Sequence, residues 1–85
     1  MLSDYIKAAL SLAVYEKLDD GSYAGRIPIC KGVVAFGKTL QECRDELQSM
    51  LEDWILLGLK LGHELPVING IDLNQEPQIE PLESL

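Results

Sequence analysis

The chain is predicted to be an α+β protein, with a small antiparallel sheet packed on one long helix in β-β-β-α-β order. Three observations predict this. Asp20-Gly21 separates two β-like runs, which is a strong short-range hairpin signal. Thr39-Leu-Gln-Glu42 has the spacing of a capping box, and a helical apolar periodicity follows it as far as Leu61. The 85 residues are enough for one domain and one core, not two.

The elements follow in order. Residues 3–10 form a short helix if Ser3 or Asp4 caps it, with Tyr5, Ala8 and Ala9 on one side. The alternative, a strand beginning near Ala8, stays open. Residues 11–18 alternate, with Leu12, Val14 and Leu18 on one face and Ala13, Tyr15 and Lys17 on the other. Asp20-Gly21 is read as a type I′ turn, and residues 22–29 as the return strand. Pro28 has no N–H to donate, so it belongs at a strand end, an edge or a bulge. Gly32 supplies the next turn, and residues 33–36 form a third strand. The long helix follows from Thr39, and Gly62 suits the position just past its end. Residues 65–68 read as a fourth short strand, closed by an Asn69-Gly70 turn. The domain is thus expected over residues 1–70. An acidic tail with two prolines occupies 71–85, expected to be extended or disordered unless it docks.

The long helix carries three patterns. Leu40, Cys43, Leu47, Met50, Trp54, Leu57 and Leu61 recur at alternating spacings of three and four, and are expected to pack on the sheet. Glu42, Asp45, Glu46, Ser49, Glu52 and Asp53 share another face, read either as a solvated ridge or as a docking surface for a basic partner. Leu51, Ile55 and Leu59 form a separate apolar arc, with Leu56 exposed among the acids. One sheet cannot cover all of these, so Leu51, Ile55, Leu56 and Leu59 are expected to form an oligomer interface in a dimer or tetramer.

Charge and composition narrow the function. The net charge of −7 divides unevenly: residues 1–38 hold five basic and four acidic residues, and residues 39–85 hold two and ten. Nucleic-acid binding rests on Lys and Arg displacing counterions, so DNA binding is not expected. No apolar run approaches the ~18 residues of a membrane span, and MLSDYIKAAL lacks a basic start and cleavage site, so a cytoplasmic location is expected. Cys30, Cys43 and His63 are too few for a zinc site, and the cysteines are read as small buried hydrophobes. The serines lack a nucleophile motif. GVVAFGKT matches the phosphate-loop pattern literally, but its interior is β-prone and apolar where a phosphate cradle needs small residues with free amides. No cofactor, metal or catalytic residue is therefore expected, and the chain is read as a non-enzyme.

Taken together, residues ~12–70 resemble the HicB-like family of small antitoxin-type domains. Tyr15, the DDGSYAGRIP hairpin, Gly32, Gly37-x-Thr39, the helix start TLQEC and Pro66 carry the resemblance. Cys30-Lys31-Gly32 stands where that family usually has Pro-Gly-Cys. The resemblance implies a partial ribonuclease H-like layout without that enzyme's carboxylates. It also implies a role: binding a small basic RNA-cleaving toxin and occluding its active site, with Glu42, Asp45, Glu46, Glu52 and Asp53 as the matching acidic surface. Family antitoxins often add a DNA-binding module, and this chain ends in an acidic tail instead. The alternative is a homo-oligomeric domain that binds a small ligand or single-stranded nucleic acid.

Overall fold

A computed structural model describes residues 2–74. The elements run α1 (Leu2–Ser11), β1 (Val14–Lys17), β2 (Tyr23–Arg26), β3 (Val34–Gly37) and α2 (Leu40–Leu61). The strands form an antiparallel sheet in the order β1-β2-β3, with Tyr15 opposite Gly25 and Gly25 opposite Ala35. The expected class and the succession of hairpin, strand and long helix are present, preceded by α1. Of the two readings for the N-terminus, the helix is the one formed. It buries Tyr5 and Ala9 completely. The Leu12 and Ala13 amides then donate back to the Ala9 and Leu10 carbonyls, which delays β1 to Val14.

The turns explain where the strands stop. Gly21 N–H donates to the Leu18 carbonyl at 2.9 Å, and Leu18 N–H donates to the Ser22 carbonyl at 2.8 Å. Only Gly21 has a positive φ, +88°, so the loop is a type I turn followed by a left-handed glycine rather than the expected type I′ turn. Asp20 stabilises that choice, because its carboxylate accepts from both the amide and the hydroxyl of Ser22. Those two bonds favour the ionised form and lower its pKa. Between β2 and β3 there are two consecutive turns. Cys30 N–H donates to the Ile27 carbonyl with Pro28 at the second position, and Val33 N–H donates to the Cys30 carbonyl with Gly32 at φ +97°. β2 therefore ends at Arg26, short of the expected Ile29, and Pro28 stands in a turn where its missing N–H costs nothing.

No fourth strand joins the sheet, so the fifth element of the expected order is absent among the described residues. Residues 65–68 are held elsewhere. Leu65 and Ile68 are buried in the core beside Tyr5. The Tyr5 hydroxyl donates to the Pro66 carbonyl at 2.7 Å. Asn69 and Gly70, at φ 52° and 76°, turn the chain so that Ile68 and Ile71 exchange backbone hydrogen bonds with each other rather than with a sheet edge. The Asn74 side chain then accepts from Leu65 N–H and donates to the Leu65 carbonyl. The folded body thus continues to residue 74. Residues 75–85, most of the expected tail, lie outside the described residues.

α2 begins and ends as its caps dictate. The Thr39 hydroxyl accepts from Glu42 N–H at 3.1 Å, and the Glu42 carboxylate reaches back to accept from Lys38 N–H at 3.0 Å. At the other end His63 N–H donates to the Gly58 carbonyl and Gly62 N–H to that of Leu59, with Gly62 left-handed. The buried face is Cys43, Leu47, Leu51, Ile55 and Gly58, with Trp54 half-buried. Leu40, Met50, Leu57 and Leu61 are exposed. At ~100° per residue the buried stripe is rotated by roughly 45° from the expected one. The cause is α1, which covers the Leu51–Ile55 flank of α2 that a lone sheet would leave open.

Tyr5 gives this core a pH dependence. Burial, with smaller contributions from Cys30 and Asp72, raises its pKa from 10.0 to about 12. Between those values the native state keeps a proton that the unfolded state has lost, so stability falls as pH rises through that window. Burial also raises Cys30 and Cys43 above 9.0, so the decline starts there. The thermal midpoint, followed by circular dichroism, is expected to fall between pH 9 and pH 12. Tyr5→Phe is expected to start lower and to fall less steeply, retaining the contributions of the two cysteines and of Tyr15, whose pKa burial also raises.

Candidate protein-binding surface

The groups with shifted pKa values do not converge. Tyr5, Tyr15, Cys30 and Cys43 are raised by burial, and Asp20 is lowered by Ser22; they are dispersed through core, sheet and turn. Both cysteines are free and fully buried, and the Cys43 thiol donates a weak bond to the Ala35 carbonyl at 3.7 Å. His63 is exposed just past α2. The interior of the phosphate-loop match runs from the turn at Val33, whose amide donates to the Cys30 carbonyl, into strand β3, which pairs with β2. Among the described residues, no group of three or more His, Cys, Asp or Glu side chains is placed to hold a metal ion, and no helix is long and apolar enough to cross a membrane.

What the fold does present is surface. Glu42, Asp45, Glu46, Ser49, Glu52 and Asp53 are all exposed, on the side of α2 directly opposite its buried stripe. The cause is the helical period itself: with the core stripe fixed by Cys43, Leu47 and Leu51, these positions point outward. Neutral amides order two of the acids, Gln41 donating to Asp45 at 2.9 Å and Gln48 to Glu52 at 3.2 Å. Such bonds orient the carboxylates without cancelling their charge.

The apolar arc divides. Leu51 and Ile55, expected at an interface, are 0% and 2% exposed and belong to the core, because α1 packs over them. Leu56 and Leu59 remain exposed, Leu56 to 68%. With Leu2 and Ile6 of α1 they line a groove of about 340 Å³ that Ile55 floors and Glu52 borders. Sequence reasoning missed Leu2 and Ile6. Their i, i+4 spacing on a short helix is the available signal, but it has no meaning while helix and strand remain equal alternatives for that segment.

The open face of the sheet is a second surface the sequence did not mark. Val14, Arg26 and Val34 stand side by side across the three strands, and Glu16, Ala24 and Phe36 form the next row. Nothing described covers them, and Phe36 is 62% exposed.

Comparison with known proteins places this architecture. No curated protein matches the chain. A crystal structure of TTHA0281 from Thermus thermophilus superposes with a TM-score of 0.79 at 40% sequence identity, covering 85% of this chain and 90% of that one. Residues 4–66, from the first turn of α1 to the proline that accepts the Tyr5 hydroxyl, match the family described as UPF0150-like. By that match over most of its length, the chain belongs to the UPF0150-like family.

Proposed function

We propose that this chain is a non-catalytic protein-binding module of the HicB-like antitoxin kind, with a partial ribonuclease H-like layout, which neutralises a small basic RNA-cleaving protein by covering its active surface. The observation that carries this reading is the outward acidic face of α2. Glu42, Asp45, Glu46, Glu52 and Asp53 lie on one side of a 22-residue helix that is capped at both ends. A protein that cleaves RNA must present Lys and Arg to the phosphates. A rigid row of carboxylates competes for the same groups, speeds encounter and sets orientation. The charge imbalance of the chain is concentrated in the same half, and the cytoplasm is the compartment where an RNA-cleaving partner has its substrate.

The test isolates the chain from its host with any short Lys-rich, His-containing protein encoded in a neighbouring reading frame. The expected result is a stoichiometric complex that abolishes RNA cleavage in a fluorescent substrate assay. The triple variant Glu42→Lys, Asp45→Lys, Glu46→Lys is expected to raise the concentration needed for inhibition by about 100-fold, since three charge reversals in one contact each cost on the order of 1 kcal/mol. Inhibition unchanged by the triple variant, or no inhibition by the wild type, overturns the reading.

A further inference from the structure

The groove between α1 and α2 has its own complement on the same face. Leu2, Ile6, Leu56 and Leu59 line it, and Leu56 and Leu59 also stand out from it as a ridge. A surface that holds both a groove and a ridge suits an isologous contact, in which each copy supplies the ridge that fills the other's groove. We propose that this face binds a second copy of the chain, with the two α2 helices antiparallel about a two-fold axis at Leu56.

Charge selects this occupant and this direction. Glu52 and Lys60 each stand four residues from Leu56, on opposite sides along the helix, and both are exposed. In an antiparallel pair centred on Leu56, a residue n positions before it lies level with the residue n positions after it in the other copy. Glu52 of each copy is therefore level with Lys60 of the other, and the pair occurs twice. A parallel pairing would instead set Glu52 beside Glu52 and Lys60 beside Lys60. The overlap spans roughly the last three turns of α2. It leaves Glu42, Asp45 and Glu46 uncovered and takes up Glu52, so this association does not rest on the antitoxin reading and shares only the C-terminal part of its acidic face.

Sedimentation velocity on the full chain at micromolar concentration tests the proposal. The wild type is expected to run as a dimer. Leu56→Asp is expected to run as a monomer with unchanged circular dichroism, because Leu56 is 68% exposed in the single chain. Glu52→Lys sets two like-charge pairs across the axis and is expected to weaken the dimer by about tenfold. Adding Lys60→Glu to that variant restores both pairs in reverse and is expected to recover the affinity. A monomeric wild type overturns the proposal, as does a Leu56→Asp variant that stays dimeric. A double variant no tighter than Glu52→Lys alone overturns the antiparallel arrangement. Loss of the dimer in Phe36→Asp but not in Leu56→Asp assigns the interface to the open face of the sheet instead.

Discussion

Gly37→Ala is expected to lower stability by about 3 kcal/mol, at the upper end for overpacking in a well-packed interior. Gly37 ends β3 and faces the first turn of α2. A Cβ there would lie 2.4 Å from Cys43 N, 2.8 Å from Cys43 Cα and 2.9 Å from the Glu42 carbonyl carbon. All three are backbone atoms, so no side chain can rotate out of the way. The helix start cannot shift freely either, because the Thr39–Glu42 caps and the buried Cys43 fix it on the sheet. Either the strand end leaves its pairing with Tyr23 or the first turn of α2 lifts off. Gly21→Ala is the control. It has a left-handed φ but nothing within 4 Å of the added carbon, so only backbone strain applies, about 1 kcal/mol. Urea denaturation of the two variants separates crowding from strain. A Gly37→Ala variant no less stable than Gly21→Ala would show that β3 and α2 are not in such close contact.

That close approach is legible in the sequence only as a glycine before a helix cap. Local signals succeed where the physics is local. The Thr39 cap, the Gly62 stop, the Gly32 turn and the Asn69-Gly70 turn all occur where their residue chemistry requires them, because each depends on a few neighbouring dihedrals and hydrogen bonds. The type of the Asp20-Gly21 turn differs from expectation because the reward for keeping Asp20 at negative φ comes from Ser22, two residues on. The position of residues 65–68 is not legible at all. An extended run closed by a turn looks like a strand whether it joins a sheet or packs under a helix, and the deciding bond, from Tyr5 to Pro66, spans 61 residues. The acidic face of α2 is exposed as expected, because its exposure follows from the helical period. The apolar arc points to an interface only as long as α1 is left out. Leu51 and Ile55 do need a partner beyond the sheet, and it is the chain's own first helix. Only Leu56 and Leu59, which border α1 without being covered by it, keep the role expected of the whole arc.

Leu51→Ala and Leu57→Ala decide which stripe of α2 is the core. Both residues are leucines on the same helix, six positions apart, and both substitutions install the residue with the best helix propensity. Periodicity alone places Leu57 inside and Leu51 outside. The packing reverses this, with Leu51 at 0% exposure and Leu57 at 55%. Removing three carbons from a fully buried leucine loses their transfer free energy and leaves a cavity among Tyr5, Ala9, Leu47 and Ile55, residues of the same cluster. That costs about 3–4 kcal/mol, a large share of the ~5–10 kcal/mol available to a small domain. Leu57 loses contacts on one side only, and its substitution is expected to change stability by no more than about 0.5 kcal/mol. The difference also reaches α1, because Leu51 is one of the side chains that helix covers. Hydrogen exchange in Leu51→Ala should therefore accelerate in residues 5–9 as well as in α2, whereas Leu57→Ala should leave both helices protected. Equal costs for the two substitutions, or a larger one for Leu57, would mean that α1 does not cover α2, and the second flank of the long helix would again require another chain.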